Sequence, residues 1–220
     1  MYNVPGMNPM GMGIGMNGMG GMPMGYVPQM SNPMNMGNQI YNNPSPTTNA
    51  LSKKEKTLQR LKKEFQLCSN TKDLVTLGCS FGLEDNNYFI WRVSMMGPQN
   101  TPYDGGCFQI RIIFPENYPE KGPEFRFVNK IYHLNVDFKT EDPKKMGHIC
   151  LNKINQWTTT GKVTGNKHYN VKQALFDIFC LFYDQGIGSP YDEQAALDYQ
   201  KNPEKFNAIA REWTQKYAKL

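Results

Sequence analysis

No lysine, arginine, aspartate, glutamate or histidine occurs in the first 50 of the 220 residues. A stretch without charge has nothing to solvate a folded face, and its Gly and Pro interrupt any helix or strand every few positions. Residues 1–50 are therefore expected to form a disordered tail of Met, Gly, Asn and Pro, and residues 51–220 a single domain large enough for a proper core. Within the tail an Asn-Pro-Met unit occurs twice, at 8–10 and 32–34, and its methionines would suit an adaptable contact surface or self-association.

Other absences narrow the class. The five cysteines, at 68, 79, 107, 150 and 180, are odd in number and include no Cys-x-x-Cys pair, and no secretory signal precedes them, which points to reduced thiols in a cytoplasmic and/or nuclear protein. No run approaches the ~18 consecutive apolar residues of a membrane span, so a soluble protein with no membrane partner is expected. The net charge of +5 comes from interleaved acids and bases, too mild and mixed for a nucleic-acid surface, although an acidic protein partner fits. No cofactor motif is present. His148-x-Cys150 has no second ligand pair, so no metal is expected.

What is there begins at Leu51. Ser52 and Glu55 have the spacing of a capping box, and Leu58, Leu61 and Phe65 recur at helical intervals, which predicts a first helix from Lys53 to Leu67. Its other face carries Lys53, Lys54, Lys56, Arg60, Lys62 and Lys63, either a solvated surface or a docking face for an acidic protein. Four β-prone runs follow, Val75 to Phe81, Tyr88 to Met96, Phe108 to Phe114 and Glu124 to Val128, separated by turn residues. Short connections make an antiparallel meander. Three helices are signalled later: Val171 to Tyr183 after Asn170, a short one opened by Ser189-Pro190, and Glu204 to Tyr217 after Asn202-Pro203. The fold class is α+β: an N-terminal helix, a four-stranded antiparallel meander sheet, an active-site loop, then C-terminal helices.

The chemistry-bearing stretch is Lys130 to Trp157. Cys150 lies in a short apolar run downstream of the polar His133-Leu134-Asn135 turn, and its thiolate would be the reactive form. The bland alternative is a small buried hydrophobe. His148 shares a strand face with Cys150 at best, which does not make a Cys-His dyad.

In order along the chain, several motifs resemble the ubiquitin-conjugating enzyme family. Gly97 to Gly106 is similar to the family's turn between the second and third strands, and Phe114-Pro115-Glu116-Asn117-Tyr118-Pro119 to its proline-rich loop. Tyr132-His133-Leu134-Asn135 resembles its His-Pro-Asn motif, Gly147-His148-Ile149-Cys150-Leu151 its catalytic-cysteine segment, and Ala210 to Ala218 its C-terminal helix. The resemblance implies an enzyme that accepts ubiquitin from an activating enzyme as a thioester on Cys150 and passes it to a substrate lysine, usually with a ligase. Asn135 would stabilise the oxyanion, a donor type whose removal costs about 100-fold to 1,000-fold in rate. His133 would stabilise the turn. Ser189 would stand where relatives carry a gate residue, or act as a helix cap. The ligase surface would involve Lys53, Lys54, Arg60, Lys63, Pro119 and Glu120, and Ser80 falls where relatives bind ubiquitin noncovalently.

The chain departs from the pattern at four places. Leu134 replaces proline, Glu120 replaces an apolar side chain, and insertions enlarge 137–146 and 158–169. The first insertion would be a lid over the cysteine or a projection into water. Two alternatives accompany the leading one: a conjugating enzyme for another ubiquitin-like modifier, and an inactive, binding-only relative.

Overall fold

The computed structural model describes residues 51–166, 168–187 and 190–219. The tail of residues 1–50 and Ser189 lie outside the described residues.

Helix α1 (Lys53–Asn70) opens on the capping box read from the sequence: Ser52 Oγ accepts from the Glu55 amide at 3.2 Å, and Glu55 accepts from the Ser52 amide at 2.8 Å. It runs one turn past Leu67. Leu61 is fully buried, and Phe65 meets Phe81, Tyr88 and Trp91 edge-on. Buried Thr57 donates to the carbonyls of Glu116 and Tyr118, which fastens α1 to the proline-rich loop.

The first β-prone run is half right. Lys72–Thr76 forms a short helix, α2, and strand β1 covers Cys79–Glu84. Burial of Leu74 on the core decides this against the β preference of Val75, which is exposed, and Gly78 at φ +69° turns the chain into the strand. A two-residue turn, Asp85 and Asn86 with φ of 51° and 57°, leads into β2 (Asn87–Met96), the positive-φ pair that matches strand twist. Strands β3 (Cys107–Ile113) and β4 (Glu124–Phe127) complete the expected meander. Trp91, Val93 and Met95 of β2 face inward with Phe108, Ile110 and Ile112 of β3, while Arg92, Ser94, Gln109 and Arg111 stand on the other face.

Two short strands extend the sheet beyond the meander. β5 (Val136–Asp137) pairs with β6 (His148–Ile149), and β6 pairs with β4 at Arg126↔His148, giving the order β1-β2-β3-β4-β6-β5. The insertion of 137–146 is thus the connection of a β-hairpin. Four more helices follow: α3 (Asn152–Thr160), α4 (Val171–Leu181), α5 (Glu193–Lys201) and α6 (Pro203–Tyr217). α3 has no counterpart in the sequence reading. α5 begins later than expected, because Asp192 caps it by accepting from Ala195 N at 2.9 Å, so Pro190 precedes the helix instead of opening it. Leu175 and Ile178 of α4, Phe206 and Ala210 of α6, and Phe182, whose ring lies 5.1 Å from those of Tyr103 and Phe108, join the core.

Among the described residues no helix is long and apolar enough to cross a membrane, and no group of three or more His, Cys, Asp or Glu is placed to hold a metal ion.

Candidate active site

Cys150 follows the last residue of β6 and precedes α3, whose first residue is Asn152. Its backbone is tied to the polar turn: the Cys150 amide donates to the Asn135 carbonyl at 2.7 Å. The side chain is half-buried, unlike buried Cys68, Cys79 and Cys107. A thiol placed in this way is fixed in space and still reachable. Leu151, the last residue of the segment that resembles the family's cysteine motif, is the N-cap of α3 and offers no side-chain acceptor, so the first amides of that helix have no side-chain cap.

Burial pushes the Cys150 thiol above its ordinary value, and a contact from Asn155 Nδ2, 3.9 Å from Sγ, opposes it. Asn155 lies five residues after Cys150, one turn into α3, and no spacing rule in the sequence marks that pair because the cysteine stands before the helix. Tyr191 is a second neighbour found only in three dimensions. Its phenol is raised by burial first, and then by the nearby charges of Cys150 and Asp137.

The His133-Leu134-Asn135 turn is buried, at 3%, 0% and 2% exposure. His133 Nδ1 accepts from the Asn135 amide at 3.0 Å, which leaves the hydrogen on Nε2 to donate to the Leu181 carbonyl at 3.0 Å. Burial lowers its pKa to about 4, so the ring is neutral near pH 7 and both nitrogens are occupied by structure. The Asn135 carboxamide is gripped by one residue: Oδ1 accepts from Gly186 N at 2.9 Å and Nδ2 donates to Gly186 O at 2.7 Å. The Leu134 carbonyl accepts from Tyr191 N and Asp192 N, which holds the segment before α5 against the turn. No hydrogen bond joins His148 to Cys150; the His148 pKa is lowered by burial, and its Nε2 is buried without a partner among the described residues.

The two insertions differ. Residues 141–146 are all exposed, so the hairpin connection projects into water. Its base is fixed by Asp137 Oδ1, which accepts from the amides of Lys139 and Thr140, and by the 2.6 Å ion pair of Lys139 with Asp192. The described residues of 158–169 instead reach back to the domain: Val163 and Tyr169 are buried, and Tyr169 stands perpendicular to Trp157 with ring centres 5.1 Å apart. Gly161, at φ +70°, caps α3 where a Cβ would lie 1.9 Å from the Glu120 carbonyl.

Of the residues expected at a partner surface, Lys53, Arg60, Lys63, Pro119 and Glu120 line one open groove of about 480 Å³ between α1 and the proline-rich loop. Lys54 is turned away from it and pairs with Glu116 at 2.6 Å. The groove is already partly neutralised, since Lys53 pairs with Glu120 at 2.7 Å and Arg60 with Glu64 at 3.0 Å. Ser80 is exposed on edge strand β1, opposite Ser94, at the other end of the strand order from β6 and Cys150.

A family model described as "Ubiquitin-conjugating enzyme" matches residues 60–214. A provisionally named ubiquitin conjugating enzyme of Plasmodium yoelii, known from its crystal structure, is 32% identical over 74% of this chain and 96% of its own, with a TM-score of 0.61. The E2 domain of a ubiquitin conjugating enzyme of Toxoplasma gondii is 29% identical over 74% of this chain and 99% of its own, with a TM-score of 0.60. With most of the folded domain matched in both sequence and structure, the chain belongs to the ubiquitin-conjugating enzyme family.

Proposed function

We propose that Cys150 accepts the C-terminal acyl group of ubiquitin from an activating enzyme and transfers it to a lysine amine, commonly with a ligase bound. The observation that carries this reading is the half-buried thiol held by its own amide to the turn that bears Asn135. In the first step the Cys150 thiolate attacks the activating enzyme's thioester, and that enzyme's thiolate leaves. In the second a neutral lysine amine attacks the Cys150 thioester carbonyl. Negative charge collects on the carbonyl oxygen, the C–S bond breaks, and the ammonium proton passes to solvent or a nearby acceptor.

Asn135 Nδ2 has two hydrogens, and Gly186 takes one. The second is the donor assigned to the oxyanion, joined by the uncapped amides that open α3. Asn135→Ala is expected to keep thioester formation and slow transfer to lysine by about 100-fold to 1,000-fold; equal transfer rates would remove Asn135 from the mechanism. Ser189, read from sequence alone, would hydrogen-bond the incoming amine, and Ser189→Ala is expected to be milder, because a hydroxyl cannot take up the proton as a carboxylate would.

The raised pKa of Cys150 has a sign that can be checked. Below that pKa the thiolate fraction grows about tenfold per pH unit, so alkylation of Cys150, followed by mass spectrometry, should still be climbing at pH 9. A plateau by pH 7 would contradict the burial of the sulfur.

The test of the reaction is incubation with activating enzyme, ATP and ubiquitin. A thioester band removed by reducing agent and absent in Cys150→Ala supports the reading. A panel with other modifiers and their activating enzymes decides the cargo, and exclusive loading of a non-ubiquitin modifier would overturn the choice of ubiquitin.

A further inference from the structure

Replacing proline by Leu134 adds a group that proline lacks, a backbone N–H. Leu134 is fully buried, so that N–H cannot turn to water, and among the described residues it finds one acceptor, Gln185 Oε1 at 3.4 Å. Gln185 is itself only 3% exposed. Its Nε2 donates to the Tyr103 hydroxyl at 3.0 Å, and that hydroxyl donates to the Tyr132 carbonyl at 2.9 Å. The chain of hydrogen bonds thus leaves the turn at Leu134 and returns to it at Tyr132. The next residue, Gly186, holds the Asn135 carboxamide at both of its ends. A single dipeptide, Gln185-Gly186, therefore grips the turn at Leu134 and at Asn135.

We propose that Gln185 is a positioning residue: by hydrogen bonding it gives the His133-Leu134-Asn135 turn the rigidity that a proline ring would give, and so fixes the orientation of the Asn135 carboxamide in the turn to which the Cys150 amide is bonded. The proposal rests on the reading of Cys150 as the acyl carrier. Its chemistry predicts a specific dependence. Removing the Gln185 amide leaves the Leu134 N–H unpaired in a dry interior, whereas with proline at that position there is no N–H to leave unpaired. The Tyr103 hydroxyl is less affected in either case, since it keeps its own acceptor at Tyr132.

The test compares Gln185→Leu, Leu134→Pro and the double variant. Gln185→Leu is expected to form the Cys150 thioester at wild-type yield, and to discharge it to free lysine about 10-fold to 100-fold more slowly, as small misplacements of reacting groups do. Nuclear magnetic resonance should show faster solvent exchange of its Leu134 amide. In the Leu134→Pro background the same change at Gln185 is expected to cost about threefold or less, because the N–H it served is gone. An equal loss in both backgrounds, or unchanged discharge in Gln185→Leu, overturns the proposal. Should Gln185→Leu fail to fold, Tyr103→Phe, which releases the Gln185 amide from its other end, must slow discharge in the wild type and not in Leu134→Pro. If the wild type forms no thioester with any modifier, the reading of Cys150 fails by itself. Leu134 amide exchange then still decides the clamp, and equal protection with and without Gln185 refutes it.

Discussion

The two stretches read from sequence as insertions, on either side of the cysteine segment, have similar lengths and differ in how much they bury. Residues 137–146 are mostly polar and charged, and their tip at 141–146 is wholly exposed; the base is held by half-buried Phe138 packed against the core, an Asx-type turn and one ion pair. Residues 158–169 carry a valine and a tyrosine that reach the core, and a left-handed glycine pressed against the proline-rich loop. One stretch ends in a tip that stands in water; the other packs on the core. What separates the 141–146 tip from the second stretch is apolar area taken out of water, since exposed polar contacts contribute little to stability.

This contrast can be broken by measurement. The largest effect is expected from Tyr169→Ala, which removes a ring packed on Trp157 and a hydroxyl that donates to Asp177 at 2.7 Å. A loss of about 3 kcal/mol in chemical denaturation is anticipated from comparable aromatic truncations, and a loss under about 1 kcal/mol would show that the second insertion is not structural. Lys139→Ala comes next, at about 0.5–1 kcal/mol, because Lys139 is exposed even though its partner Asp192 is not. Its effect should shrink in high salt, and an undiminished one would point to a role beyond the ion pair. Replacing 141–146 by a shorter turn should change stability by no more than about 0.5 kcal/mol; a collapse of the melting transition would make the hairpin tip part of the core.

Much of the scaffold was legible because its signals are local. Ser52 and Glu55 are three residues apart, and the meander strands alternate inward and outward as their sequences do. The misreadings have identifiable causes. α3 has no side-chain cap and ends in three threonines, poor helix formers, so its sequence does not announce a helix; burial of Ile154 and Trp157 stabilises it. Its one local signal was Gly161, one residue past its end. Ser189-Pro190 has the composition of a helix start, yet Asp192 makes the cap. Val75 and Thr76 favour strand and lie at the end of a helix, because Leu74 beside them is buried.

At the candidate site, Cys150 and the His133-Leu134-Asn135 turn were singled out from sequence, and the structure ties the two together through one backbone hydrogen bond. The groups that hold the turn were not found. Gln185 and Gly186 lie about 50 residues from it along the chain, Tyr103 lies 82 residues from Gln185, and no local pattern marks a glutamine whose amide serves a distant turn. Of the residues expected from sequence at a partner surface, Lys53, Arg60, Lys63, Pro119 and Glu120 converge on one groove, while Lys54 belongs to a neighbouring face.

The most direct test asks whether the sulfur of Cys150 carries an acyl group at all. After incubation with activating enzyme, ATP and ubiquitin, intact mass spectrometry should find one ubiquitin added through a bond that thiol reagents cleave, on the wild type and not on Cys150→Ala. An unmodified wild-type mass with every modifier offered, under conditions that charge another conjugating enzyme, would contradict the account.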